Sequence, residues 1–365
     1  MFFFDLPVWA GGSLLKALIR ILVLITGIIF IVFSFNSFKQ KEDEIIEHER
    51  EIVESRKLEI EEEMKEKNEK RPETGVSTFI GGSVQSFKEK YGEPSRVEPS
   101  YYGYMWYIYN EGETYMLAGV LRDRVVTVAV ASKDIDTNPF QIGENLESVY
   151  RKVSMQSEVV LKNDHGIYRF ELFEDDLNTK PLITLGDLYV QLYFDRFTGE
   201  IMFIRFLDGY TLIKHRPYDM TYRGDLIESE PLTDEEYKLA DKAAERQIFE
   251  LTNIVRKKYN LAPLVWDEDL SKIAYHYSLE MHDNENTTEK DRPDEDLAGR
   301  LDKNNVLYEY AGENVAYHYT DSIAAVSGWL NSKKHRETML NEHFTHMGTG
   351  VYKKFYTENF VERPR

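Results

Sequence analysis

The sequence predicts an α+β chain carried on an N-terminal anchor, on three observations. An apolar stretch near the N-terminus has no charged residue from Ile21 to Phe35. A turn–helix–strand pattern occurs twice between Thr78 and about Asp208, the second copy opening 62 residues after the first. Residues 233–365 open with a capped amphipathic helix and then mix helical and strand-like stretches. Helices set beside antiparallel meanders are an α+β design.

The charge balance narrows the function. With 64 acidic against 45 basic residues the net charge is −19, which argues against an electrostatic grip on nucleic acid. No cysteine is present, so disulfides, thiol catalysis and cysteine-based zinc sites are excluded.

Residues 1–40 read as the anchor, with the helix over about Leu14–Phe35. Its apolar run shows no polar face, unlike a buried core helix, and is long enough to span a bilayer with some tilt. Ser34-Phe35-Asn36-Ser37-Phe38 is a poor cleavage site, so the expectation is an uncleaved single-pass anchor. Lys16 and Arg20 precede the run, which places the N-terminus inside and the body outside the cell. Residues 41–74 read as a charged helical stalk: Lys41–Arg71 holds 13 acidic and 8 basic residues. Its apolar stripe of Ile46, Val53 and Ile60 is too thin to establish a coiled coil.

Residues 75–225 read as a duplicated α+β domain, with copies over about 78–135 and 140–208. Copy one opens F-I-G-G-S-V-Q-S-F and copy two Q-I-G-E-N-L-E-S-V, pairing Gly81 with Gly143 and Phe87 with Val149. Each opening is a turn into a short helix, with Ser83 or Asn145 as its N-cap. Strands are expected at Tyr104–Tyr109, Tyr115–Val120 and Val125–Ala131 in copy one. In copy two they are expected at Ile167–Leu172, Leu188–Phe194 and Ile201–Phe206, making an antiparallel meander in each. The alternating aromatics around Tyr101–Tyr109 fit packing, with a stacking face for carbohydrate or peptide as the other reading. His215–Leu232 reads as a polar connector. Thr233 and Glu236 then form a capping box for a helix to about Tyr259, followed by a second helix over about Asp267–Asp283.

The stretch Tyr310–Tyr352 concentrates polar chemistry: Glu313, His335, His343 and His346 fall within 34 residues. Around it lie L-T-N-I-V-R-K-K-Y-N-L-A-P-L-V-W-D-E-D-L-S-K-I-A, G-E-N-V-A, W-L-N-S-K-K-H-R-E-T-M-L and F-T-H-M-G-T-G-V-Y. In that order and spacing they resemble the CAP superfamily (cysteine-rich secretory, antigen 5 and pathogenesis-related proteins) in its cysteine-free bacterial branch. The resemblance covers about 235–361, and the preceding repeat is similar to the CAP-associated N-terminal domain. It implies an α-β-α sandwich over residues 233–365, with a cleft lined by histidines and acidic residues that in some members binds a divalent metal.

Residue by residue, Glu313 falls on the family's cleft glutamate, with Asn314 beside it. The loop histidine position falls on Glu289, in T-T-E-K, and the glutamate of W-x-x-E on Ser332. Bacterial members offer the histidine of S-x-x-H-R, here His335, and His346 is a further neighbour. Asn253 and Arg256 match N-x-x-R, which ties helix to sheet. Gly312 belongs to the G-E-N motif, and Gly348 and Gly350 permit close backbone approach. A metal at Glu313, His335 and Glu289 would meet an oxygen-rich set that suits magnesium or calcium more than zinc. Glu313 and His335 are also the candidates for a catalytic base, although no serine, threonine or cysteine stands in a nucleophile motif. The bland reading of each remains open: Glu313 and Asn314 could brace a turn, His335 could complement a helix C-terminus, and Glu289 could be solvated.

The expected function is a membrane-tethered, extracytoplasmic binding or regulatory module of the cell envelope, taking a peptide, lipid or wall-derived ligand in a Glu/His-lined cleft. The alternative is a metal-assisted hydrolase or peptidase acting on envelope polymers or peptides. A third reading is an interaction scaffold with no small ligand.

Overall fold

The computed structural model describes residues 70–284 and 296–364. The expected anchor helix, nearly all of the stalk, and Glu289 lie outside them. Among the described residues no helix is long and apolar enough to cross a membrane.

One local instruction, written twice, starts the fold. Gly81 and Gly143 adopt φ of +83° and +89°, a region that costs glycine nothing. Gly81 N–H donates to Val125 O at 2.7 Å and Gly143 N–H to Ile201 O at 2.8 Å. Two residues on, Ser83 Oγ accepts from Ser86 N at 3.1 Å and Asn145 Oδ1 from Ser148 N at 2.8 Å. These side chains take up orphan donors and start α1 (Val84–Tyr91) and α2 (Leu146–Tyr150). Phe87 and Val149 are the fully buried residues of these helices.

Copy one continues as β1 (Arg96–Pro99), β2 (Met105–Glu111), β3 (Thr114–Leu121) and β4 (Arg124–Val130). Copy two is longer: β5 (Glu158–Asn163), β6 (Gly166–Glu171), α3 (Glu174–Thr179), β7 (Leu182–Leu185), β8 (Leu188–Asp195) and β9 (Glu200–Leu207). The copies share one antiparallel sheet in the order β1-β2-β3-β4-β9-β8-β7, joined at its centre where Val128 pairs with Phe206.

Two expectations need correction here. Residues 167–171 do form most of a strand, β6, yet it is absent from the shared sheet, and β7 sits where copy one has β2. The second correction concerns the connector. Residues expected to be plain linker contain a strand, β10 (Asp219–Gly224), preceded by α4 (Gly209–His215). Together β10, β6 and β5 make a separate sheet. The burial pattern explains the split. Val159, Leu161, Tyr168 and Phe170 are buried while their sequence neighbours are not, as in a strand with one wet face. In contrast β8 is buried along its whole length, as a central strand must be.

The C-terminal half starts at α5 (Asp234–Lys258). Glu236 N donates to Thr233 Oγ1 at 3.3 Å, and Thr233 N returns a bond to the Glu236 carboxylate at 2.8 Å. Ala240, Ala244, Ile248, Leu251 and Val255 form its buried stripe. Then follow β11 (Val265–Trp266), α6 (Glu268–Asp283), α7 (Leu297–Lys303), β12 (Tyr310–Tyr317), α8 (Ser322–Asn331), α9 (Lys333–Met339), β13 (His346–Tyr352) and β14 (Phe355–Glu362). The sheet runs β11-β13-β14-β12. Helices α5, α8 and α9 cover one face and α6 and α7 the other, giving three layers.

Gly348 and Gly350 let α6 lie directly on the sheet. A Cβ at Gly348 would sit 2.1 Å from Ser271 N, and one at Gly350 1.9 Å from Tyr275 N. Arg256, fully buried, donates to Ala262 O at 3.1 Å and to Met339 O and Asn341 O at 2.9 Å. Asn253 exchanges two hydrogen bonds with Leu264, at 3.1 and 2.7 Å. These two side chains clamp α5 to the entry of β11.

The halves are welded. One apolar cluster takes Tyr104, Trp106, Leu117 and Phe203 from the repeat domain with Ile248, Trp329 and Tyr356 from the C-terminal domain. Tyr101, Tyr102, Tyr104 and Trp106 are thus interface core, so these aromatics are packing residues. Across the same joint, buried Arg205 on β9 pairs with Asp321, the N-cap of α8, at 2.5 Å. Arg336 on α9 holds Asp195 on β8 at 2.9 Å.

Candidate functional site

Adjacent residues on β12 face opposite layers. Gly312 and Asn314 look towards α9: a Cβ on Gly312 would meet Thr338 Cγ2 at 2.9 Å, and Asn314 Nδ2 donates to His335 O at 3.0 Å. Asn314 also reaches buried Glu358 at 3.3 Å, whose other oxygen accepts from Thr252 on α5. Glu313 points the other way. It forms an ion pair with Arg300 of α7, whose guanidinium lies 3.7 Å from the centre of the Tyr277 ring. With its amide turned to satisfy both neighbours, Asn359 donates to Glu313 Oε2 at 3.0 Å and accepts from Ala274 N of α6 at 3.3 Å.

Glu313 and His335 therefore occupy opposite faces of the C-terminal sheet, and the expected Glu/His pair does not form. The physical reason is strand alternation: a side chain one residue from Asn314 cannot share its face. Burial raises the Glu313 carboxyl above its usual range, and Arg300 opposes that shift. His346 lies at the start of β13 on the Glu313 face by register, with Nδ1 2.9 Å from Thr345 Oγ1. His343 is exposed and stacks on Tyr310 at 4.9 Å.

A dication does not fit Glu313 and His335 as they are placed on opposite faces. Arg300 already supplies the positive charge beside Glu313, where a cation would be repelled. Among the described residues no group of three or more His, Asp or Glu side chains is placed to hold a metal ion.

His335 and Ser332 instead line an open cavity of about 640 Å³ at the joint between the halves. One wall is the end of β12 and the segment to Thr320, with α8 and the start of α9. The opposite wall is α3 and β8 of copy two with Arg216-Pro217 of the connector that follows it. Burial lowers the His335 imidazole below its usual pKa, with Lys334 adding to the effect, so it is neutral at pH 7. Its ring has no hydrogen-bond partner among the described residues. Neighbouring Arg336 is fastened to Asp195 and so fixes α9 against the hairpin of β8 and β9. Asn331 does the same for α8, donating to Phe194 O at 2.8 Å and accepting from Arg196 N at 2.8 Å.

The charged groups on the copy-two wall are already paired. Asp175 binds Arg196, Asp176 lies 3.2 Å from Lys180, and Arg216 lies 2.7 Å from Glu228 outside the cavity. Sequence reasoning missed this entire wall because it carries no motif. One signal was available: copy two holds extra residues that copy one lacks, and α3 comes from that insertion.

Comparison with known proteins agrees with this architecture. A CAP-associated N-terminal family model matches residues 80–218, and a cysteine-rich secretory protein family model matches residues 249–361. An uncharacterized membrane protein of Bacillus subtilis, YlbC, is 37% identical over 352 residues, covering 96% of this chain and 99% of its own. A crystal structure of an extracellular, SCP-domain-containing protein from Bacillus anthracis is similar with a TM-score of 0.75 and 41% identity. The match covers 80% of this chain and 96% of that one. A cysteine-rich secretory protein from Staphylococcus aureus gives a TM-score of 0.73 at 29% identity, over 80% and 97% of the two chains.

Proposed function

Because this chain belongs to the cysteine-rich secretory protein (CAP) family and carries its CAP-associated N-terminal domain, we propose a membrane-tethered, extracytoplasmic binding module. Its ligand site is the cavity between the two domains. The observation that carries this reading is that cavity itself: open, about 640 Å³, built from both domains, and free of the ion pair that closes the Glu313 side. Its volume falls in the range of about 300–1,000 Å³ typical of small-molecule sites, which favour domain joints. Binding is better supported than hydrolysis. A general base must reach its proton, and Glu313 is committed to Arg300 on the far face from His335.

The tether is supported by the uncharged Ile21–Phe35 run and by the relative described as a membrane protein. The absence of cysteine makes a direct test available, since a single Ser332→Cys gives the full chain one thiol. A membrane-impermeant maleimide added to intact cells should label it, and the labelled protein should sediment with membranes. Labelling only after lysis would place the body inside and sink the assignment.

A further inference from the structure

We propose that the cavity at the domain joint takes an uncharged oligosaccharide. This rests on the cavity being a ligand site, and it follows from which binding groups remain unspent there.

Ionic ligands gain little. Asp175, Asp176, Lys180, Arg196 and Arg216 are each neutralised by a protein partner, and His335 carries no charge at pH 7. A charged ligand would have to break such a pair and replace its energy. An extended peptide adding to the edge of β12 is disfavoured for a different reason. Strand addition relies on free main-chain acceptors. Here Val315 O of β12 accepts from Trp329 Nε1 at 3.0 Å, and in the segment after the strand Thr320 O accepts from Tyr102 at 3.0 Å and Tyr319 O from Tyr356 at 3.2 Å. An acyl chain would meet a wall carrying two aspartates, a lysine and two arginines.

What remains is neutral and bifunctional. The Tyr319 and Ser332 hydroxyls and the His335 imidazole have no side-chain hydrogen-bond partner among the described residues. Tyr317 and Tyr319 flank the opening, with 61% and 36% of their surface exposed. Hydroxyls and a neutral imidazole that both donate and accept, beside amphipathic rings, match sugar hydroxyls and the apolar faces of pyranose rings.

The fold supplies a specific lever. Gly328 on α8 faces Tyr319, and a Cβ there would lie 2.2 Å from the Tyr319 hydroxyl. Gly328→Ala should favour the helix while displacing that ring. The experiment is calorimetry on the full chain in detergent micelles. The probes are an N-acetylglucosamine tetrasaccharide, cellotetraose, an anionic hyaluronan tetrasaccharide and a neutral tetrapeptide.

At least one neutral saccharide should bind, with Gly328→Ala and His335→Ala each weakening it by about tenfold or more at unchanged Tm, a change of about 1.4 kcal/mol. Tighter binding of the anionic saccharide or the peptide overturns the proposal, as does saccharide binding indifferent to both substitutions. If neither neutral saccharide binds at millimolar concentration, the saccharide class is wrong. Protection of the Ser332→Cys thiol by a cell-envelope extract then separates the two failures. Protection leaves the cavity reading standing; no protection removes both.

Discussion

The two faces of the C-terminal sheet use similar residues to opposite ends. On the face covered by α6 and α7, an acid, an arginine, an amide and a tyrosine interlock, and the helix backbone touches two glycines of β13. On the other face, α8 and α9 stop short of closure. Copy two of the repeat domain completes the wall there and leaves His335 and Ser332 facing open space. A motif that looks like one site in sequence, G-E-N followed by S-x-x-H-R, is divided between a packed layer and an open one. Substitutions on the first face should therefore cost stability, and those on the second should cost binding.

The largest effect should come from Gly350→Ala. The added carbon meets the backbone of Tyr275 at 1.9 Å, so α6 must move off the sheet. A loss above about 3 kcal/mol is expected by denaturant unfolding, since a backbone clash exceeds ordinary overpacking. A loss under about 1 kcal/mol would mean the closed face is soft.

Next is Glu358, buried between α5 and β12, whose pKa burial pushes up to about 8 against the bonds from Thr252 and Asn314. The folded state holds this proton more tightly than the unfolded chain. Stability from Glu358 is thus present below about pH 4.5 and lost progressively as pH rises to about 8. Glu245 and Asp241, raised to about 7 and about 6, act in the same direction. Tm should fall between pH 5 and pH 8, and Glu358→Gln should flatten the largest part of that slope, a difference of about 2–4 kcal/mol. A slope unaltered by the substitution would show that the carboxyl titrates normally.

Arg300→Ala should destabilise by about 2 kcal/mol, because it removes the charged partner of Glu313 and leaves that half-buried carboxylate with the Asn359 amide only. Glu313→Gln should cost less, and neither should alter ligand affinity by more than about twofold. The smallest stability effect belongs to His335→Ala, under about 0.5 kcal/mol, since its ring holds nothing in place.

Local instructions were legible in the chain. Thr233 with Glu236, Ser83 and Asn145 as caps, and the paired turns at Gly81 and Gly143 each depend on residues a few positions apart. Placement across long sequence separations was not. Val159 to Phe170 alternate like any meander strand, and nothing local says that they leave the main sheet. Arg300 lies 13 residues before Glu313, and only the packing of α7 on β12 joins them. The cavity brings Asp175 within reach of residues after Val315, a separation no motif spans. The Glu313 error had a local remedy. Once Tyr310–Tyr317 is seen as a strand, Glu313 and Asn314 must part.

The central claim is that ligand enters at the domain joint and leaves the Glu313 face untouched. Two single-cysteine versions of this cysteine-free chain test it side by side: Ser332→Cys in the cavity and His276→Cys on exposed α6. A cell-envelope extract should slow maleimide reaction at position 332 while leaving position 276 unchanged. Protection at position 276 alone, or at neither, would contradict the account.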